Sequence, residues 1–95
     1  MVSTGIKNLG IFLKDKRIAA NFSQAEVAKK LGHKTPQFIS NWERGLSYPP
    51  VKDIKTLAVY FKISPDELFE KILECRIAEV REEFKKELQN LKKKK

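Results

Sequence analysis

Residues 23–45 read SQAEVAKKLGHKTPQFISNWERG, and this stretch decides the fold. Ser23, with a glutamate three positions later, forms a capping-box pattern that predicts the start of a helix. Thr35 as N-cap and Pro36 at the first helical position predict a second helix, which stops at the next glycine. Between the two helices, Gly32 can adopt a positive φ at no steric cost. The stretch is therefore predicted to form two short helices joined by a tight turn.

The second of these helices has two chemically different faces. At 100° per residue, Ile39 and Trp42 point to one side, where they are expected to bury against Val27, Ala28 and Leu31. The other side carries amide, hydroxyl and guanidinium groups but no acid, from Gln37, Ser40, Asn41 and Arg44. Amides can pair with adenine, guanidinium with guanine, and hydroxyls with several acceptors. This outer face is therefore a candidate for reading the edges of base pairs.

Helical spacing extends over nearly the whole chain, and the alternation typical of strands is absent. A first helix is predicted over about residues 5–20, ending at Asn21, which tolerates the left-handed conformation. A fourth helix is predicted over 51–61, after two prolines that cannot lie inside a helix. Ser64 opens a fifth helix with a second capping-box pattern. The expected fold class is all-α.

Beyond residue 73 the apolar residues thin to one face, formed by Ile77, Val80, Phe84, Leu88 and Leu91. Three arrangements fit this pattern: a helix packed on its own domain, an amphipathic helix that forms a dimer, or a frayed charged extension. Spacings of three and four suit a helix–helix seam. We divide the chain into a helix-turn-helix domain over residues 1–73, an amphipathic C-terminal helix over 74–91, and a disordered basic tail over 92–95.

Charge is unevenly distributed along the chain. The formal net charge is +8 and the isoelectric point is near 9.7. Residues 1–64 contain eleven bases against four acids, whereas residues 65–91 contain five bases against eight acids. A basic domain of this size favours an anionic partner, of which nucleic acid is the commonest. A lysine-rich surface that serves only solubility is the alternative explanation.

Several classes of function are disfavoured by what the sequence lacks. Cys75 is the single cysteine, which excludes an internal disulfide and a multi-thiolate metal site and suits a reducing cytoplasm. No apolar run is long enough for a membrane span, and no signal-peptide pattern begins the chain. No Ser/His/Asp set, glycine-rich phosphate loop or metal-ligand spacing is present. We therefore expect neither an enzyme nor a cofactor or metal, and we expect His33 at a turn, near phosphate or solvent.

The motifs between Ile6 and Phe69 resemble the phage-repressor (Cro-like, or xenobiotic-response-element) helix-turn-helix family. The matching residues are Lys16-Arg17, Ser23-Gln24-Ala25-Glu26-Val27-Ala28, Leu31-Gly32, Ile39-Ser40, Trp42-Glu43-Arg44-Gly45, a proline in the following loop, Leu57-Ala58 and Ser64-Pro65-Asp66-Glu67-Leu68. The resemblance implies a compact five-helix repressor-like bundle with its third helix in the major groove; here an amphipathic C-terminal helix is added. It also implies that Gln24 contacts backbone phosphate and that Arg17 and Glu43 form a partly buried ion pair.

One departure from the family pattern concerns the turn. Six residues separate Gly32 from Ile39, where five are commoner, and Pro36 replaces a residue that often reads a base. The expected DNA-binding residues are Gln24, Lys34, Thr35, Gln37, Phe38, Ser40, Asn41 and Arg44. Alternatives stay open for several of them: plain polar surface for Gln37 and Asn41, local backbone bonding for Ser40, a helix C-cap for Arg44, and partial core packing for Phe38, which is favoured.

The expected function is that of a sequence-specific regulator of transcription that binds double-stranded DNA. A repressor acting as a homodimer on a pseudo-palindromic operator fits best, with half-sites about ten base pairs apart. The resemblance implies a bacterial or phage-encoded protein of the cytoplasm, and no small-molecule effector is evident. The alternative is a protein-interaction adaptor, antitoxin-like or a co-regulator, that uses its C-terminal helix. RNA binding ranks third because no aromatic stacking platform is evident.

Overall fold

Five helices form the described part of the chain, which covers residues 4–93 of a computed structural model. In chain order they are α1 (Thr4–Ala19), α2 (Gln24–Lys30), α3 (Gln37–Glu43), α4 (Val51–Phe61) and α5 (Pro65–Lys93). No strand occurs between residues 4 and 93, so the all-α class is confirmed. The last two lysines of the predicted tail lie outside the described residues.

The ends of α1 and α2 follow from local side-chain and backbone chemistry. Ser23 Oγ accepts a hydrogen bond from the Glu26 amide at 3.0 Å, and Glu26 Oε1 accepts one from the Ser23 amide at 2.8 Å. This reciprocal pair is the predicted capping box. Asn21 has φ 63° and Gly32 has φ 82°, so both adopt the left-handed conformation expected of them.

The start of α3 differs from the prediction by one residue. Pro36, expected at the first helical position, is instead the N-cap, and α3 begins at Gln37. Proline has no side-chain acceptor, so the hydroxyl of Thr35 acts from one position further back. Its Oγ1 accepts a hydrogen bond from the Gln37 amide at 3.3 Å. Thr35 therefore still satisfies one of the free amides at this end, although it is not the N-cap.

The core lies where α1, α3, α4 and α5 converge. Leu9, Leu57 and Leu68 are among its fully buried side chains, and α1 packs against α3, α4 and α5. Gly10 allows the close approach of α1 to α3, because a Cβ built there would lie 2.5 Å from the Glu43 carbonyl oxygen. The position of the C-terminal end of α3 therefore depends on α1.

The predicted fifth helix and the predicted C-terminal helix are one continuous helix. No glycine or proline lies between residues 66 and 93, so nothing ends α5 near residue 73. Lys92 and Lys93 are helical, which corrects the expectation of disorder for these two residues of the tail. Cys75 is buried, whereas residues 83–93 are all exposed. Residues 83–93 therefore do not pack on the rest of the domain, whereas residues 75–82 still lie partly against it.

Candidate nucleic-acid interface

The two faces of α3 separate as the sequence predicts. Ile39 and Trp42 are buried in the core, with 2% and 3% of their surfaces exposed. Gln37 is exposed and Asn41 is half-buried on the other side. Since α5 packs mainly against α1 and α4, it does not cover this outer face.

Gln37 and Asn41 are joined to each other on the outer face of α3. Gln37 Nε2 donates a hydrogen bond to Asn41 Oδ1 at 2.9 Å, one helical turn along. This bond leaves Gln37 Oε1 as an acceptor and the Asn41 amide nitrogen as a donor. An adjacent acceptor and donor complement the N6 and N7 atoms that adenine presents in the major groove. The bond therefore orients both side chains for contact with a base-pair edge.

The remaining polar residues predicted for the site surround this amide pair. Ser40 is half-buried and Arg44 is exposed at the end of α3. Lys34 and Thr35 are exposed in the turn that precedes it. Within the described residues, neither Arg44 nor Lys34 forms an ion pair. Both cations are therefore available to an anion from outside the chain.

Phe38 does not take the partly buried position that was favoured for it. Its surface is 54% exposed. The ring lies beside His33, with the ring centroids 4.8 Å apart and the planes tilted by 36°. Phe38 is exposed because Ile39 and Trp42 already occupy the inner side of α3. Phe38 is consequently an apolar group at the edge of the polar face.

A buried ionic cluster holds α3 in place from behind. Arg17 Nε lies 2.6 Å from Glu43 Oε2, and Arg17 Nη2 lies 3.0 Å from Glu43 Oε1. Gln24 Nε2 donates to the same Oε1 at 2.9 Å. Arg17 also donates to the carbonyl oxygen of Phe22 at 2.8 Å, so it links α1 to the segment before α2. The ion pair implied by the family resemblance is thus present in bidentate form, and it neutralises the acid of α3.

Gln24 has a partner that the sequence did not suggest. The resemblance implied contact with backbone phosphate, whereas its amide nitrogen is bonded to Glu43. Gln24 is half-buried, and each amide nitrogen carries two hydrogens. Contact between Gln24 and phosphate therefore stays a prediction, in which the second hydrogen on Gln24 Nε2 would be donated to a phosphate oxygen.

The side chain of His33, in the turn between α2 and α3, lies against α4 and Trp42, whereas the sequence placed it near phosphate or solvent. Its side chain is 18% exposed, and Nε2 lies 3.6 Å from Oδ2 of Asp53 in α4. Its ring also meets Trp42 edge-on at 6.2 Å. Asp53 is buried at 6% exposure. Nothing local signals this pairing, because the two residues are twenty positions apart and the fold alone brings them together.

The surroundings of α3 are basic and free of metal-binding groups. Lys29 and Lys30 are exposed on α2, and the Lys30 ammonium lies over the Tyr60 ring at 4.5 Å. Glu26 accepts the capping hydrogen bonds from Ser23, which lower the pKa of its carboxyl.

Among residues 4–93, no three His, Cys, Asp or Glu side chains are grouped so that they could hold a metal ion. The same residues include no helix with the length and apolar character needed to cross a membrane.

Comparison with known proteins agrees with this architecture. The helix-turn-helix family model (HTH_3) matches residues 13–68. The restriction-modification controller protein C.AhdI from Aeromonas hydrophila is 28% identical with a TM-score of 0.58, over 66% of this chain and 90% of that one. The clp gene regulator ClgR from C. glutamicum has a TM-score of 0.61 over 79% of this chain and 95% of its own; at 16% identity it shows a shared fold alone. Among curated proteins, none matches the chain significantly.

The matched range contains the elements that build the interface. It runs from Leu13 in α1 to Leu68 in α5 and includes α2, the turn and α3. The family consists of DNA-binding regulators and not of enzymes. The chain therefore belongs to the Cro/C1-type helix-turn-helix family of DNA-binding transcriptional regulators.

Proposed function

We propose that this regulator is a repressor that binds a specific double-stranded operator as a homodimer. The observation that carries the proposal is the outer face of α3, where an exposed Gln37 and a half-buried Asn41 are joined by a hydrogen bond. A helix with buried apolar residues behind and paired amides in front suits insertion into the major groove. Occupation of a promoter would then repress transcription by exclusion.

The residues around α3 divide into two proposed roles. Gln37, Ser40 and Asn41 read base edges, and the exposed ring of Phe38 contacts a thymine methyl group. Backbone phosphates are contacted by Gln24, Lys34, Thr35 and Arg44. Phosphate contacts set the position of the protein on the duplex, whereas base contacts supply its specificity.

Two further expectations belong to this proposal. A homodimer would place two copies of α3 on half-sites about ten base pairs apart, and so would require a pseudo-palindromic operator. The family and the single cysteine suit a protein of the bacterial cytoplasm, encoded by a host or a phage. No effector is needed for binding in this scheme.

Selection of duplexes from a random library, followed by competition at two salt concentrations, tests the proposal. Gln37→Ala and Asn41→Ala are each expected to reduce discrimination between operator and random duplex by about 1–3 kcal/mol. Affinity for random duplex should change far less, because phosphate contacts supply it. Gln89→Ala, which removes an exposed amide on α5, is the matched control. Full discrimination in both α3 variants would disprove this assignment of the base contacts.

The exposed apolar residues of α5 favour a second candidate, a protein-interaction adaptor of the antitoxin-like or co-regulator type. Phe84 and Leu91 are 65% and 67% exposed, and large apolar side chains on a solvent-facing helix indicate a protein partner. The two candidates differ in what they require of DNA. An adaptor would show no preferred duplex in the selection, and its defined partner would bind through residues after Leu73.

A further inference from the structure

An apolar face follows α5 along its exposed side, first beside α4 and then beyond the rest of the domain. We call it the α5 seam, and it consists of Phe69, Leu73, Ile77, Val80, Phe84, Leu88 and Leu91. These side chains are between 39% and 67% exposed. At 100° per residue they occupy a sector about 100° wide, whose centre lies about 140° around the helix from that of the buried Leu68, Ile72 and Cys75. One face of α5 therefore packs inside its own domain, and the other is open to solvent and available to a partner.

The two halves of the α5 seam have opposite shapes. Beside the first half lies an apolar groove of about 620 Å³, which is lined chiefly by Val51, Ile54, Phe69, Leu73, Ile77 and Val80. The second half, with Phe84, Leu88 and Leu91, projects from a part of the helix that is exposed all round. A concave apolar half and a convex apolar half on one helix can fill each other in a second copy that runs in the opposite direction.

The spacing of the α5 seam supports this antiparallel arrangement. From Phe69 to Leu91 the steps are 4, 4, 3, 4, 4 and 3 residues, so Val80 lies midway between the two ends. A copy reversed about Val80 places Phe69 level with the partner's Leu91, and it places Leu73 and Ile77 within one residue of the level of the partner's Leu88 and the partner's Phe84. The repeat of eleven residues also keeps apolar positions on one side of a nearly straight helix. Every apolar layer of the seam is therefore matched.

Charge along α5 selects the same direction. The first turns carry Asp66, Glu67, Glu70 and Glu74 against Lys71 alone, whereas the last described turns carry Lys85, Lys86, Lys92 and Lys93 against Glu87. An antiparallel pair joins the acidic end of each helix to the basic end of the other. A parallel pair joins like ends and aligns the helix dipoles unfavourably.

The flanks of the seam give specific partners in this register. On one flank, Glu70 comes within two residues of the level of the partner's Lys92, and Glu74 comes within one residue of the level of the partner's Lys85, distances that these long side chains can span. On the other flank, Arg76 comes opposite the partner's Glu83. Each pair occurs twice because the arrangement has a two-fold axis. These opposite charges are compatible with the register that the apolar residues indicate, although Arg81 lies on the same flank near the axis and faces its own copy.

We infer that a second copy of this chain docks along the α5 seam in the antiparallel direction, with the two-fold axis beside Val80. Its Phe84 and Leu88 fill the groove between α4 and α5, and the groove of the second copy is filled in the same way. This assignment rests on the homodimer of the proposed function and adds its direction and register. The helix-turn-helix units are then held at opposite ends of a shared helix pair.

Disulfide cross-linking in the full chain tests the direction. In a Cys75→Ala background, Val80→Cys is expected to form a covalent dimer under mild oxidation, because the two copies meet at the axis within disulfide range. Leu91→Cys alone should stay unlinked but should cross-link when mixed with Phe69→Cys. Self-linking of Leu91→Cys, as a parallel pair requires, or a monomer in sedimentation of the wild-type chain, would overturn the inference.

Charge exchange provides a second measurement that uses exposed residues only. Glu74→Lys and Lys85→Glu each turn two attractive pairs into repulsive ones and should raise the dimer dissociation constant about five-fold. The double variant Glu74→Lys/Lys85→Glu restores both pairs and should return the constant to within about two-fold of the wild type. Two independent, additive losses in the double variant would contradict this register.

The outcomes of these experiments separate the docking mode from the proposed function. If the wild-type chain selects a palindromic duplex but the cysteine variants do not form the predicted cross-links, the proposed function stands and the antiparallel dimer fails. If the chain forms the predicted cross-links but shows no duplex preference, the antiparallel dimer stands and the proposed function as a sequence-specific repressor fails. Binding of a different protein along the seam would appear as loss of the Val80→Cys cross-link when that protein is added.

Discussion

Arg17 and Glu43 lie twenty-six positions apart in the sequence and form a bidentate ion pair behind α3. Their side chains are only 11% and 5% exposed. The pair does not face the proposed DNA surface, so its contribution is to the position of α3. Base readings by α3 depend on that position, because a hydrogen bond tolerates little displacement.

Removal of the cation from this pair should destabilise the fold. Arg17→Ala leaves the Glu43 carboxylate nearly buried without its guanidinium, and we expect a loss of about 3 kcal/mol in the free energy of unfolding. Urea titration followed by circular dichroism measures it. Lys14→Ala, which removes an exposed cation of α1, should change stability by less than about 0.5 kcal/mol. Equal stability of the two variants would show that the pair contributes nothing.

Gly10 should not accept a larger residue. A Cβ there would lie 2.5 Å from the Glu43 carbonyl oxygen and 2.8 Å from that of Trp42, and both atoms are backbone. We expect Gly10→Ala to cost about 1–3 kcal/mol despite the better helix propensity of alanine, because α1 and α3 must separate. The midpoint temperature of thermal unfolding and the affinity for the operator should both fall. A variant as stable as the wild type would show that this contact can relax without cost.

Gly32 provides a comparison in which the strain has another origin. Its φ is 82°, and no atom lies within 4 Å of a Cβ built there. Gly32→Ala should therefore cost about 1–2 kcal/mol through backbone strain alone. Gly32→Asn should recover part of the loss, since asparagine tolerates the left-handed region. A loss equal for alanine and asparagine would exclude backbone conformation as the cause.

Alkaline stability should depend on Tyr48. Burial, with a contribution from the Glu79 carboxylate, raises the pKa of Tyr48 to about 12, although the Arg76 guanidinium over the ring opposes this. The unfolded chain loses that proton near pH 10, so the folded state is favoured below this pH and the advantage is lost as the pH rises through about 12. Tyr48→Phe should flatten the decline of stability between about pH 10 and 12. An unchanged slope in urea titrations would contradict this assignment.

Salt dependence should distinguish the proposed phosphate contacts from base contacts. Arg44→Ala is expected to reduce the slope of log affinity against log salt concentration by about one, because one counterion-releasing contact is lost. Gln37→Ala, a neutral change on the same face, should leave that slope unchanged while it reduces discrimination. An Arg44 variant with the wild-type slope would place Arg44 away from phosphate.

Local sequence signals predicted the elements whose determinants are close together in the chain. The capping box at Ser23, the left-handed turns at Asn21 and Gly32, and the buried side of α3 all depend on residues within one or two helical turns. The predicted N-cap of α3, Thr35, was one position too early. The N-cap is Pro36, which has no side-chain acceptor, so the Thr35 hydroxyl accepts the hydrogen bond from the Gln37 amide instead.

Contacts between distant residues account for what the sequence did not predict. His33 meets Asp53 only because α4 folds back on the turn before α3. Gln24 bonds to Glu43 because that carboxylate is held nearby by a residue of α1. The break expected in α5 was inferred from a thinner apolar pattern, which instead reflects a change from an internal to an exposed apolar face. The resemblance supplied the ion pair and the family, but not the paired state of Gln37 and Asn41.

The separation of the two faces of α3 has an evolutionary consequence. Ile39 and Trp42 hold the helix in the core, so under the proposed base contacts an exchange of Gln37 or Asn41, on the outer face, would change which duplex is recognised and leave the scaffold intact. Under that proposal, single substitutions on the outer face would give new specificities with little loss of stability. A duplicated copy of such a regulator could acquire a different target while it keeps the same framework.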